Sequence, residues 1–230
     1  LESRLATRIL VRMAKFDYRN ENDIYEGARR VRWHAHFGVD HTFKVDTNAV
    51  KAPVKSLDFI TLKVKDAVAD AFREALGRRP DVSSREPDVR VHVFLDAKWC
   101  TLYLDTSGEP LFKRGRRDKT GEAPLKKNLA AGLLRLSGWT PGQPLLDPMC
   151  GAGTILIEAA EMALGLAPGR GRPFGFERLT RFDAAAREKV KAASAERAQP
   201  LGPRPIYGAD LDGRSGAGAR ANLRETGLEG

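Results

Sequence analysis

The apolar positions of the first hundred residues change period repeatedly, and each change predicts an element. From Thr7 to Phe16, Ile9, Val11 and Met13 alternate with Arg8, Leu10 and Arg12, the period of two expected of a strand with one largely buried face. Asn22 or Asp23 can cap a short helix in which Ile24, Ala28 and Val31 fall near helical spacing before Trp33. A strand is predicted over 41–47, with Phe43 and Val45 on one face. The clearest helix runs from Asp58 to Leu76, where Ile60, Val64, Val68, Phe72 and Leu76 recur every four residues and Gly77 supplies a stop. Alternation returns in Val89, Val91, Val93 and Leu95, and again in Leu102 and Leu104, so a β-hairpin turning around Asp96 to Lys98 is expected.

The second half has a different grammar. Residues 113–122 are charged and contain glycine, as a linker between domains does. A helix is predicted from Pro124 to Leu136, and then LLDPMCGAGT at 145–154, followed by ILIEAAEMALG, reads as strand, glycine turn and helix. Asp147 falls at the carboxyl edge of that strand, where open α/β sheets bind ligands. Gly151 and Gly153 carry no Cβ, so the backbone can turn sharply and approach a ligand closely. Ile155, Leu156, Ala159, Ala160 and Ala163 give the helix its apolar stripe. PIYGADLD at 205–212 predicts a second short strand ending in Asp210, a carboxylate placed to accept both hydroxyls of a ribose, whereas Asp212 is read as the amino-terminal cap of a further helix. Residues 165–204 hold a Pro/Gly/Arg-rich loop and a charged helix around Phe182 to Arg197, an insertion between the two strands.

The glycine turn is neither GxGxxG nor GxxxxGK[ST]. It resembles the DPxCGxGT signature of RNA and DNA amino-group methyltransferases that use S-adenosylmethionine. The resemblance widens through HTFKVDTNAVKAPVKSLDFITLKVKDAVADAF, GRRPDVSSREPDVRVHVFLDAKWCTLYLDTSGEPLFKRGRR and APLKKNLAAGLL, which look like the THUMP domain and junction of bacterial large-subunit ribosomal RNA guanine-N2 methyltransferases. Residues 1–33 resemble part of the ferredoxin-like domain that precedes THUMP in that family. The implied fold is an α+β RNA-binding module, a ferredoxin-like segment plus THUMP, followed by the start of an α/β Rossmann-like methyltransferase domain. Its expected boundaries are 1–40, 41–112, a linker over 113–123, and 124–230. The resemblance also implies ribosomal RNA as partner, S-adenosylmethionine as methyl donor and an exocyclic guanine amine as acceptor. The implied cofactor residues are Asp147, Pro148, Met149, Cys150, Gly151, Ala152, Gly153, Thr154 and Asp210, with Pro124 and Leu125 bordering the pocket. The family's Asn-Pro-Pro-Tyr-type acceptor loop is not in this sequence, so no catalytic residue is assigned, and the chain is expected to be a fragment that cannot transfer a methyl group alone. A THUMP-type transfer RNA methyltransferase and a non-catalytic RNA-binding module are the competing readings.

Composition adds an electrostatic constraint. Thirty-nine Lys and Arg against 30 Asp and Glu give a formal charge of +9 and a pI near 9.8, which favours an anionic partner such as a phosphate backbone. Lys113, Arg114, Arg116 and Arg117 in LFKRGRR are the candidates for phosphate contact; a solvated basic loop is the alternative. Arg116 stands where relatives often show an aromatic residue, and Lys127 where many carry an acid. Two cysteines, no apolar run near the roughly 18 residues needed to span a bilayer, and no export signal in LESRLATRIL point to a reduced compartment, the cytoplasm. His34, His36, His41 and His92 match no standard metal spacing, so no metal is assigned. Cys150 reads as a buried thiol rather than a nucleophile, and Trp33, Trp99 and Trp139 as core or junction residues rather than base-stacking platforms.

Overall fold

A computed structural model describes residues 1–114, 125–200, 205–226 and 228. Arg116, Arg117 and Pro124 therefore lie outside the described residues. The chain divides into two compact units, one made of Arg8–Glu109 and Pro173–Asp183, the other of Leu1–Thr7, Pro110–Arg172 and Ala184–Gly230.

The first unit carries β1 (Leu10–Asp17), α1 (Glu21–Arg29), β2 (Phe43–Ala49), α2 (Leu57–Leu76), β3 (Val89–Leu95) and β4 (Trp99–Asp105). Its sheet has the order β1-β4-β3-β2. The hairpin pair β3/β4 and the pair β1/β4 are antiparallel, while β2 and β3 are parallel and joined through α2. Period-two residues Val89, Val91, Val93 and Leu95 bury themselves against the period-four residues Ile60, Val64 and Phe72. Trp33 is fully buried there, its indole Nε1–H donating to the Ala28 carbonyl at 2.8 Å. No boundary at residue 40 divides this unit, because β1 runs along β4 in the sheet and α1 packs on α2. Asn20 rather than Asn22 or Asp23 caps α1, accepting from both of their backbone N–H groups, and Asp23 accepts instead from the Arg19 N–H. Part of the expected insertion also belongs here: the Phe176 N–H donates to the Thr106 carbonyl at 3.0 Å, and Arg178 pairs with Asp88 at 3.0 Å.

The second unit holds α3 (Lys127–Leu136), β5 (Leu145–Asp147), α4 (Thr154–Ala163), α5 (Ala184–Glu196), β6 (Ile206–Gly208) and α6 (Gly213–Glu225). β5 and β6 pair in parallel with Leu145 opposite Ile206 and Asp147 opposite Gly208. Leu134 of α3, Trp139 and Ala159 of α4 form a small core flanked by Leu145 and Ile206. Leu1–Thr7 belongs to this unit, and the first strand starts at Leu10 rather than at Thr7. The Gly169 N–H donates to the Leu1 carbonyl at 2.9 Å and the Leu111 N–H to the Thr7 carbonyl at 2.8 Å. No described helix is long and apolar enough to cross a membrane.

Candidate functional site

Because β5 and β6 are parallel neighbours, their carboxyl ends deliver Asp147 and Asp210 to the same edge. The ladder continues past both strands, with Ala209 N–H donating to the Asp147 carbonyl and Cys150 N–H to the Ala209 carbonyl, each at 2.9 Å. The turn after β5 is thereby stitched to the segment after β6. The Asp210 carboxylate accepts from the Gly151 N–H at 2.8 Å and from the Asp212 N–H at 3.0 Å, while Asp147 accepts from the Met149 N–H at 3.2 Å. A carboxylate offers about four lone-pair sites, so both acids can hold the loop and still accept from a ligand.

Gly153 stands in the left-handed region at φ +77°, and a Cβ on it would lie 3.1 Å from the Ala219 side chain of α6. Gly208 allows a similar approach, since a Cβ there would fall 2.3 Å from Leu156 Cδ1. Gly151, at φ +51°, has open space where its side chain would be. Pro148 and Met149 are exposed, Gly151 and Ala152 half-buried, and Cys150, Gly153 and Thr154 buried. The loop thus presents an accessible backbone rim over a packed floor. Burial, and then the carboxylates of Asp147 and Asp210, push the Cys150 thiol above its ordinary value, which disfavours the nucleophilic thiolate. Asp212 caps α6, accepting from the Arg214 and Ser215 N–H groups, as expected from the sequence.

Beneath the loop, α4 buries Glu158 and Glu161 along with its apolar stripe. A buried carboxylate needs a cation and hydrogen bonds to offset the loss of water. Arg114 Nη2 reaches Glu158 at 2.7 Å, Arg4 Nη1 lies 3.1 Å from both Glu158 and Glu161, and Arg170 pairs with Glu161 at 2.9 Å. This corrects the expectation that Arg114 faces RNA: it is 5% exposed, and its guanidinium is committed to Glu158. Lys113 is exposed beside it.

Several supporting residues were missed in the sequence. Asn222 of α6 donates from Nδ2 to the Ala152 carbonyl at 3.0 Å, and nothing in its helix singles it out. Gly208 looked like one strand residue among others. The two glutamates of ILIEAAE were the available signal for the ion network, being charges inside an otherwise apolar helix. Trp33 and Trp139 are buried as expected, whereas Trp99 is only half-buried. No group of three or more potential ligands for a metal ion occurs among the described residues.

With this geometry in place, comparison with known proteins is specific. The family described as RMKL-like, methyltransferase domain, matches residues 114–230, and the THUMP domain matches residues 18–105. The ribosomal RNA large subunit methyltransferase K/L of Psychromonas ingrahamii is 41% identical over 236 residues, covering 99% of this chain and 31% of the relative. A solved structure from Listeria monocytogenes, assigned as an N6-adenine-specific DNA methylase, superposes with TM-score 0.88 at 30% identity, covering 99% of this chain and 60% of that one. SMU.472, assigned as a methyltransferase and complexed with SAH, gives TM-score 0.86 at 32% identity, covering 98% and 61%. The chain therefore spans about a third of the curated relative and three fifths of the solved chains.

Proposed function

From the premise that the chain belongs to the RMKL-like methyltransferase-domain family, a family dependent on S-adenosylmethionine, and carries a THUMP domain, we propose that the protein methylates RNA. Its acceptor is the exocyclic N2 amine of a guanine in large-subunit ribosomal RNA. The observation that carries this reading is the DPMCGAGT turn held between two parallel strand ends, with Asp147 and Asp210 converging on it. When bound, S-adenosylmethionine supplies an electrophilic methyl group on a sulfonium centre. Asp210 accepts from the ribose hydroxyls with the lone pairs left over from Gly151 and Asp212. Asp147 orients the polar end of the same ligand, and residues 148–154 line it with backbone. Transfer to an amine is governed by alignment and desolvation of the reacting atoms, and a paired base must first leave its stack. The basic charge of +9 supports a nucleic-acid partner, with exposed Lys113 contributing.

Calorimetry on this chain tests the cofactor half: SAH should bind, and Asp147→Ala should weaken it at least tenfold. Mass spectrometry of RNA and DNA from a deletion strain tests the substrate half. Loss of an N2-methylguanosine from large-subunit ribosomal RNA is expected; loss confined to transfer RNA, or a change confined to DNA adenine, would replace the proposed substrate.

A further inference from the structure

Among the described residues of this unit, α1 and α2 pack on the core side of the four-stranded sheet, and the opposite face has a chemistry of its own. With Cys100, Leu102 and Leu104 turned toward α2 and the core, strand alternation puts Trp99 and Tyr103 of β4 on the other face, together with Phe94 of β3. A register shift in β1 between Arg12 and Ala14 brings Arg12 opposite Tyr103 and Lys15 opposite Thr101, so both cations join the same face although they are three residues apart.

The aromatic residues are accessible: Phe94 is 36% exposed, and Trp99 and Tyr103 are half-buried. Arg12, Lys15 and Lys98 are exposed around them. The ammonium groups of Lys15 and Lys98 lie 4.8 and 5.1 Å from the Trp99 ring centroid. Trp99 is held firmly at its root, because Asp96 accepts from the backbone N–H groups of Lys98 and Trp99 at 2.8 and 2.7 Å. Asp17, across from Trp99, is an exposed carboxylate at the same end of the sheet face.

The Trp99 ring, with the ammonium groups of the exposed and flexible Lys15 and Lys98 over it, suits a base that displaces an ammonium to stack on the ring while the lysines turn to the phosphates, a combination that works for single strands because a duplex hides its base faces. We propose that this sheet face binds a single-stranded stretch of RNA. One base stacks on Trp99, neighbours reach Tyr103 and Phe94, and Arg12, Lys15 and Lys98 neutralise the phosphates. An acidic protein segment would use the cations but has no call for the ring. The inference rests on the RNA reading above and sharpens it to a surface and a strand state.

The chain reports on itself, since Trp33 and Trp139 are buried and Trp99 is the tryptophan left to be quenched. Titration with an oligouridylate of about twelve nucleotides, within the usual span of such grooves, should quench tryptophan emission saturably. An RNA duplex of equal length should bind about tenfold more weakly. By anisotropy, Trp99→Ala should lose roughly tenfold or more in single-strand affinity, in line with the removal of one base stack, while Trp99→Phe keeps most of it. Lys15→Glu with Lys98→Glu, at exposed sites that do not threaten folding, should weaken binding and flatten its salt dependence. Unchanged affinity in Trp99→Ala and in the double charge variant, a preference for duplex, or equal quenching by polyglutamate would each overturn the proposal. If those variants bind oligouridylate normally and the chain still binds ribosomal RNA, only this surface is rejected; if the chain binds no RNA at all, the substrate reading falls with it.

Discussion

At the residue scale, the site depends on atoms that are missing as much as on atoms present. Gly153 combines a left-handed backbone with a 3.1 Å approach to Ala219, so Gly153→Ala carries both a conformational and a steric penalty. We expect it to cost about 1–2 kcal/mol from the backbone term alone, seen as a lower melting temperature, and to weaken SAH binding in calorimetry because the loop must shift off α6. Glu161 offers a test by pH. Burial pushes its carboxyl up, but Arg170, then Arg4 and Lys127, more than offset this and hold it below its ordinary value of 4.5. The charged form is therefore favoured by folding, and the stability it contributes is whole above that ordinary value and lost as pH falls through the lower folded value. The melting temperatures of the native chain and Glu161→Gln should differ most near neutrality and converge as pH drops below about 4.5. A constant gap across that range would contradict the ion network.

At the element scale, strand and helix periods were legible because they follow from geometry: alternation for β3, spacing of four for α2. The ends of elements were less so. Ser56 caps α2 by accepting from the Phe59 N–H at 3.2 Å, and Asn20 rather than its neighbours caps α1, since several adjacent polar residues compete for such a role and only the local backbone selects one. Asp212 is a case in which the sequence suffices. Replacing it with alanine should cost about 1 kcal/mol by leaving the Arg214 and Ser215 N–H groups uncapped, with a loss of α6 helicity by circular dichroism. A drop in SAH affinity much larger than that stability change would instead mark Asp212 as a ligand contact. The thiols follow from packing: burial pushes the Cys100 thiol up to about 12, consistent with an inert core position in β4.

At the scale of the whole molecule, sequence order and spatial units diverge. Leu1–Thr7 belongs to the methyltransferase unit and Pro173–Asp183 to the THUMP-bearing unit. Arg4 makes the first of these assignments consequential, because it pairs with both buried glutamates of α4. Arg4→Met should destabilise the methyltransferase unit by about 3 kcal/mol or more, the usual cost of breaking a buried pair from one side. Hydrogen exchange should show the loss in α4 and β5, with the strands of the four-stranded sheet unaffected; equal loss in both units would refute the division.

The residues alone determined the element types, the glycine turn with Asp147 and Asp210, and the family resemblance, since each rests on local spacing that survives without knowing what packs where. Tertiary structure decided which charges are buried. Arg114 sits in a basic run that looks solvent-facing, yet it is drawn inside by Glu158 from 44 positions away; Trp99 looks like core, yet strand register turns it outward. Both outcomes turn on partners distant in the chain, and the energy of burying a charge or a ring is set by those partners rather than by the sequence beside it.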